Sequence, residues 1–242
     1  MLVAAAVCPC PLLLVPEVAA GAAPELDALR EACADAVGLL AASRPDLLVA
    51  VGPADSPGRS AFPTGAYGSF RPFGVALDVR LGKVSAADGE HASAGGAPPL
   101  PSSLAVAAWL LRGWNAGPVE GLGVGEELAP DLCAAAGREV VAAAGRVALL
   151  VMGDGSACRT VKAPGYLDER AEGYDAAVAA ALAAADVRTL AGLDPESGAQ
   201  LRAAGRAPWQ LLAGAAEGAG LGGQLLYEDA PYGVGYFVAG WT

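Results

Sequence analysis

Short apolar runs at residues 2–7, 47–52 and 147–152 stand out when hydrophobic and polar positions are followed along the chain. Each is too short for a buried helix, and none shows a polar face. They therefore predict strands of a parallel sheet covered on both sides. Between the first two, residues 24–42 have helical composition and open on Pro24, with Glu25 and Asp27 in the first turn. Acids there suit the positive end of the helix dipole. Strand, helix, strand in that order favours a right-handed crossover. A further strand is expected over 73–79. After it, residues 82–99 carry Gly, Ala, Ser and Pro without periodicity and read as a mobile surface loop.

Ser102 or Ser103 can cap a helix running to Arg112, Pro130 can open another to Gly145, and helices are expected over 167–185, 195–204 and 208–217. The end changes character. Residues 224–229 and 234–239 read as two strands of a hairpin joined through Ala230-Pro231-Tyr232-Gly233. With no internal repeat and no linker, the pattern predicts one α/β domain over residues 1–242. Its layers would be α/β/α, with a mostly parallel central sheet and a C-terminal hairpin.

Composition sharpens this picture. The 242 residues suffice for one large domain. With 54 % hydrophobic but only 6 % aromatic residues, the core must be built from small side chains and closely approaching helices. Fifteen Lys and Arg against twenty-six Asp and Glu give a net charge of −11. That charge repels phosphate backbones and anionic lipid, so neither nucleic acid nor a membrane is an expected partner. The apolar start lacks a leading Lys or Arg and is interrupted by Pro9, Pro11, Pro16 and Glu17, unlike a signal peptide. No other run reaches the roughly 20 residues of a membrane span, and a cytoplasmic location is expected. Five cysteines, Cys8, Cys10, Cys33, Cys133 and Cys158, are odd in number and scattered, which fits reduced thiols.

Ligands in open α/β sheets bind beyond the C-terminal ends of the strands, which directs attention to residues 8–17, 53–60, 153–165 and 228–233. In the first segment Cys8-Pro9-Cys10-Pro11 is either a proline-stiffened turn with small buried thiols or a pair able to react or bind metal. Cys8, Cys10 and Cys158 together could form a tetrahedral metal site. The third segment, Gly153 through Lys162, gathers Asp154, Ser156, Cys158, Arg159 and Lys162. Its glycines allow close backbone approach, and its two cations could hold a carboxylate or phosphate, or simply face water. In the fourth, Glu228 and Asp229 flank a turn beside Tyr232; one acid could be a ligand or base, or both could cap the turn. Several signatures are missing. The 153–165 loop lacks a P-loop ending, Gly121-Leu122-Gly123-Val124-Gly125 is not Gly-x-Gly-x-x-Gly, and Ser156 is not framed as Gly-x-Ser-x-Gly. The sole histidine, His91, reads as a solvated loop residue, leaving no base for a serine or cysteine triad.

Taken in order, Pro9-Cys10-Pro11 through Pro16-Glu17, Arg44-Pro45-Asp46-Leu47 through Gly52-Pro53, Gly153 to Cys158, and Tyr227 to Gly233 resemble the class III extradiol ring-cleavage dioxygenase (LigB-like) superfamily. The resemblance implies a centre in which two histidines and a glutamate hold Fe(II), with a further histidine as acid and base on a bound catechol. The matching positions here hold Cys10, Ala54 or Asp55, and Ala157, while Glu228 or Asp229 stands where the acidic ligand would be. One histidine cannot supply two nitrogen donors, so Fe(II) and ordinary ring cleavage are not expected. No other cofactor is indicated. Two expectations follow. The chain is a pseudoenzyme binding a small molecule or a protein through the cleft or a homo-oligomer interface. Alternatively, it is an altered metal- or thiol-dependent enzyme. Cys10, Asp154, Ser156 and Asp229 would then be its reactive groups, and Arg159, Lys162 and Tyr232 would orient a small anionic or aromatic substrate.

Overall fold

In the computed structural model, which describes residues 1–83 and 98–242, the chain runs β1 (Leu2–Cys8), α1 (Pro16–Ala19), α2 (Asp27–Ala42), β2 (Leu47–Ala54), β3 (Arg59–Phe62), β4 (Tyr67–Ser69), β5 (Asp78–Arg80), α3 (Ser102–Leu110), β6 (Val119–Gly125), α4 (Pro130–Ala142), β7 (Val147–Met152), α5 (Arg170–Ala184), α6 (Val187–Ala191), α7 (Pro195–Gln200), α8 (Arg206–Ala216), β8 (Gly223–Asp229) and β9 (Tyr236–Trp241). His91, and with it most of the loop expected at 82–99, lies outside the described residues.

The apolar runs form the centre of a seven-stranded sheet in the order β3-β6-β2-β7-β1-β9-β8. Strands β6, β2, β7 and β1 are parallel. Strand β9 runs antiparallel to β1, β8 antiparallel to β9, and β3 antiparallel to β6. Side chains alternate between the faces as the pleat requires. Ala4, Ala6, Cys8, Leu48, Ala50 and Leu150 pack with Leu29, Cys33 and Leu40 of α2 and with α3. Ala5, Val7, Val49, Val51, Leu149 and Val151 pack on the other face with α4, α5 and α8. The result is the expected α/β/α fold with a mostly parallel sheet and a C-terminal hairpin. Among the described residues, no helix is long and apolar enough to cross a membrane.

Small residues let the covering helices close up. A Cβ on Gly137 of α4 would lie 2.1 Å from Leu211 O of α8, and one on Gly214 of α8 would lie 2.2 Å from Ala134 O of α4. The two backbones touch, and α8 is buried along its whole length.

Several elements differ from the sequence reading. Residues 73–79 do not form one strand. Pro72 lies in a 3-10 turn, Arg71–Phe73, closed by Gly74 at φ +84°, and pairing is confined to β4 and β5 in a separate two-stranded sheet. Strand β6 was hidden by its glycines, which are needed because Leu81 and Ala54 occupy the space where side chains on Gly121 and Gly123 would stand. Helix α2 starts at Asp27, with Pro24 in the preceding 3-10 stretch. Neither Ser102 nor Ser103 caps α3: Pro101 is the N-cap, and Ser103 Oγ donates to Pro53 O at 2.6 Å, tying α3 to the end of β2.

Candidate functional site

The strand registers determine which loop residues meet. Cys8 pairs with Met152, Val51 with Val151, and Val7 with Ala239. Continuing these registers past the strand ends sets Ala54, Asp154, Cys10 and Tyr236 abreast along the C-terminal edge of β2, β7 and β1. The Cys10 N–H donates to Asp154 Oδ1 at 2.7 Å, closing the row between β1 and β7. Cys10 and Tyr236 belong to the same face of the sheet, the one covered by α2 and α3.

Local sequence builds this edge. Pro9 and Pro11 have no N–H to continue the ladder, so the chain leaves the sheet after Cys8 and coils as a 3-10 turn over Leu12–Leu14. Gly153 sits where a Cβ would meet Gly205 Cα at 2.5 Å, and its N–H donates to Cys8 O at 3.0 Å. Beyond Asp154 the loop pairs with the hairpin: Gly155 N–H donates to Gly235 O at 2.7 Å, Gly235 N–H to Ser156 O at 2.9 Å, and Arg159 N–H to Gly233 O at 3.0 Å. These bonds engage the backbone that the sequence reading assigned to a strand from Val234, so β9 begins at Tyr236.

Two aspartates in this region have opposite surroundings. Asp175 of α5 is fully buried and satisfied. It accepts from Ser156 N at 2.8 Å, Ser156 Oγ at 2.8 Å and Arg159 Nη1 at 3.2 Å. Asp154 is half-buried and pairs with no cation among the described residues. Burial pushes its carboxyl up to about 6, against the smaller opposing effect of the Cys10 backbone and thiol. The other oxygen, Oδ2, accepts nothing from an N–H or O–H of the described residues, nor is it sealed from solvent. Tyr236 is only 3 % exposed. Its hydroxyl likewise has no partner among the described residues and is not sealed. Burial, then the nearby Asp154 carboxylate and Cys10, raise its phenol far above the ordinary range. Burial, then the charges of Asp154 and Glu126, raise the Cys10 thiol well above normal, so it is held protonated. A protonated thiol is a poor nucleophile and a poor metal ligand.

Of the candidate reactive and binding residues singled out from sequence, only Cys10 and Asp154 share this row, together with Ala54 at one of the positions where the resembling family has histidine. Ser156 is buried and both its N–H and Oγ are committed to Asp175, so it is a structural anchor of the loop. Arg159 is the counter-ion of Asp175 and lies 3.9 Å from Glu172, so its guanidinium is shared between two carboxylates. Lys162 is exposed farther along the loop. Asp229 and Glu228 are exposed at the end of β8, and Asp229 accepts the N–H of its own neighbour, Ala230, at 2.7 Å. Tyr232 donates its hydroxyl to Glu25 Oε2 at 2.9 Å.

The tetrahedral cysteine set is not assembled. Cys8 is buried against Cys33, whose thiol and the surrounding burial raise its pKa. Cys158 is buried beside Ala171 and Leu201, with its thiol donating to Leu201 O at 3.5 Å. Among the described residues, no group of three or more His, Cys, Asp or Glu can hold a metal ion. The positions where the resembling family needs histidine do not fit Fe(II) either. Cys10 is a protonated thiol, Asp55 is exposed, and Ala157 has its N–H on Leu201 O and its carbonyl on Gly165 N.

Sequence reasoning missed Tyr236, Glu126 and Asp175. Tyr236 carries no motif and enters only through the antiparallel register of β9. Asp175 looks like an ordinary acid of a helix.

No protein-family model and no curated protein matches this chain. Among solved structures, the crystal structure of an uncharacterized protein from Escherichia coli K12 is similar over 99 % of each chain, with a TM-score of 0.60 and 16 % identity. At that identity the likeness concerns the fold alone.

Proposed function

We propose that the chain is a divergent relative of the class III extradiol dioxygenase fold that binds a small molecule at the Asp154–Cys10–Tyr236 row and does not cleave rings with Fe(II). The observation that carries this reading is the contrast between the two aspartates. Holding an ionisable group out of water without a counter-ion costs stability. Asp175 offsets that cost with two hydrogen bonds from Ser156 and a third from the Arg159 guanidinium, and in doing so anchors the loop. Asp154 has one backbone N–H and no cation, and its Oδ2 and the hydroxyl of the nearby Tyr236 both lack an N–H or O–H partner among the described residues. A ligand would use both groups.

The test is a fragment screen by NMR on the intact protein, repeated on Asp154→Asn and Tyr236→Phe, with metal analysis of anaerobically purified protein. Ligands that shift Cys10 and Asp154 in the wild type and are lost in Asp154→Asn are the expected result. Stoichiometric iron with oxygen uptake on adding a catechol would refute the proposal.

One observation favours turnover as a second reading: a carboxyl brought to about 6 is suited to general acid–base work near neutral pH. In that case Asp154, rather than Cys10 or Ser156, is the group that moves the proton.

A further inference from the structure

We infer that the site takes an organic ammonium ion, with the charge seated on Asp154 Oδ2 near the hydroxyl of Tyr236; the inference rests on the reading of this row as a small-molecule site.

The first ground is the charge pattern of the sheet edge. Strand β8 runs the same way as β1, because both are antiparallel to β9. Strands β6, β2, β7 and β8 therefore end at one edge, and each ends in an acid. Glu126 follows β6, Asp55 follows β2, Asp154 lies just past β7, and Glu228 and Asp229 finish β8. Strand β1 supplies the neutral Cys10.

The arginines around this edge are spent elsewhere. Arg206 donates to Glu126 O, Leu128 O and Gln210 Oε1. Arg59 pairs with Glu139 at 2.6 Å, and Arg159 with Asp175 at 3.2 Å. Arg30 is bonded to Asp27 and to the carbonyls of Leu14 and Ala23. Among the described residues, no hydrogen bond or ion pair brings a cation to Asp154. An anionic ligand would meet unbalanced repulsion here, and a cation would meet none.

The second ground is Tyr236. It is only 3 % exposed, yet its hydroxyl is unpartnered among the described residues and not sealed, and Asp154 and Cys10 lie near enough to act on it. An ammonium group is a charged donor, and a carboxylate oxygen with no cation beside it is a strong acceptor for it. The hydroxyl can accept a second N–H from a primary amine. A hard metal ion fits less well, because Mg²⁺ or Ca²⁺ needs several oxygen ligands. No three acidic or thiol donors converge among the described residues.

The experiment titrates the ¹⁵N-labelled protein at pH 7.5 and low salt with three compounds of one shape and different charge, 2-phenylethylamine, 2-phenylethanol and phenylacetate, and separately with MgCl₂. The amine should bind saturably at Cys10, Asp154 and Tyr236, at least about tenfold more tightly than the alcohol, a difference of about 1.4 kcal/mol. Phenylacetate should not bind. Asp154→Asn should cost at least tenfold for the amine while leaving the alcohol unchanged. Tyr236→Phe should weaken the amine a few-fold and keep its lead over the alcohol, and added salt should weaken the amine alone. If the alcohol or phenylacetate binds at these residues as tightly as the amine, the ammonium assignment fails and the small-molecule site stands. If Mg²⁺ saturates the same residues and displaces the amine, the site is a metal site and the assignment fails. If none of the probes moves these signals, both the assignment and the site reading fall.

Discussion

Replacing Asp154 with asparagine should make the protein more stable at neutral pH. The carboxyl has an ordinary value of 3.8, and burial raises it to about 6. Between those values the folded chain keeps a proton that the unfolded chain has released. The stability linked to this group is therefore full below pH 4 and is lost as the pH rises through about 6. The gap corresponds to about 3 kcal/mol at most. Solvent on the open side of the half-buried carboxylate reduces this to roughly 1–2 kcal/mol. Asparagine keeps an oxygen for the Cys10 N–H, which now donates at 2.7 Å, and removes only the charge. At about 2–4 °C per kcal/mol for a chain of this size, Asp154→Asn should melt roughly 2–8 °C above the wild type at pH 8. The difference should shrink to about a third of that by pH 4.5. Calorimetric melts of both proteins at pH 4.5, 6, 7 and 8 decide the matter. An asparagine variant that melts no higher than the wild type at pH 8, or a difference that ignores pH, would refute the reasoning. A gain in stability accompanied by loss of ligand is the trade-off seen where a side chain is kept for function.

Other outcomes follow from the same contacts. Asp175→Ala should lose about 3–5 kcal/mol in urea unfolding, because the Ser156 N–H and Oγ and the Arg159 guanidinium are left unpaired near the core. Ser156→Ala should lose only about 1 kcal/mol and leave ligand affinity untouched, whereas a reactive serine would lose all function. Gly214→Ala, whose Cβ would press to 2.2 Å from Ala134 O, should cost about 3 kcal/mol or more by forcing α4 and α8 apart; a native-like denaturation midpoint would contradict the close packing. Cys10 should react with iodoacetamide at pH 7.5 at least about tenfold more slowly than free cysteine, since burial and the adjacent carboxylates keep it a thiol; a rate at or above that of free cysteine would show a thiolate.

The parts of the fold that could be read from sequence are those where burial leaves a compositional trace. β1, β2 and β7 are covered on both faces, so all their positions are apolar and the runs are unmistakable. β6 is just as central, but Leu81 and Ala54 fill its side-chain space, and its glycines erase the signal. β3 lies at the edge and is largely exposed, so it carries no pattern. Asp154 was legible because it follows an apolar strand, where ligands collect. Its pairing with Cys10 was not, since that depends on a register linking residues 144 apart. Ser156 and Arg159 looked functional because polar residues crowd the same loop. Their partner, Asp175, lies on a helix that gives no hint of turning a carboxylate inward.

The placement of β9 bears on how the protein comes into being. The strand lies between β1 and β8, so the first strand of this sequence waits for the last to complete its pairing, and Tyr236 reaches the row only when that insertion is made. A nascent chain still short of residue 236 lacks one member of the row, however well the rest has folded. Ligand capture would then report the docking of β9, and a ligand present during folding would favour chains in which that strand has been inserted.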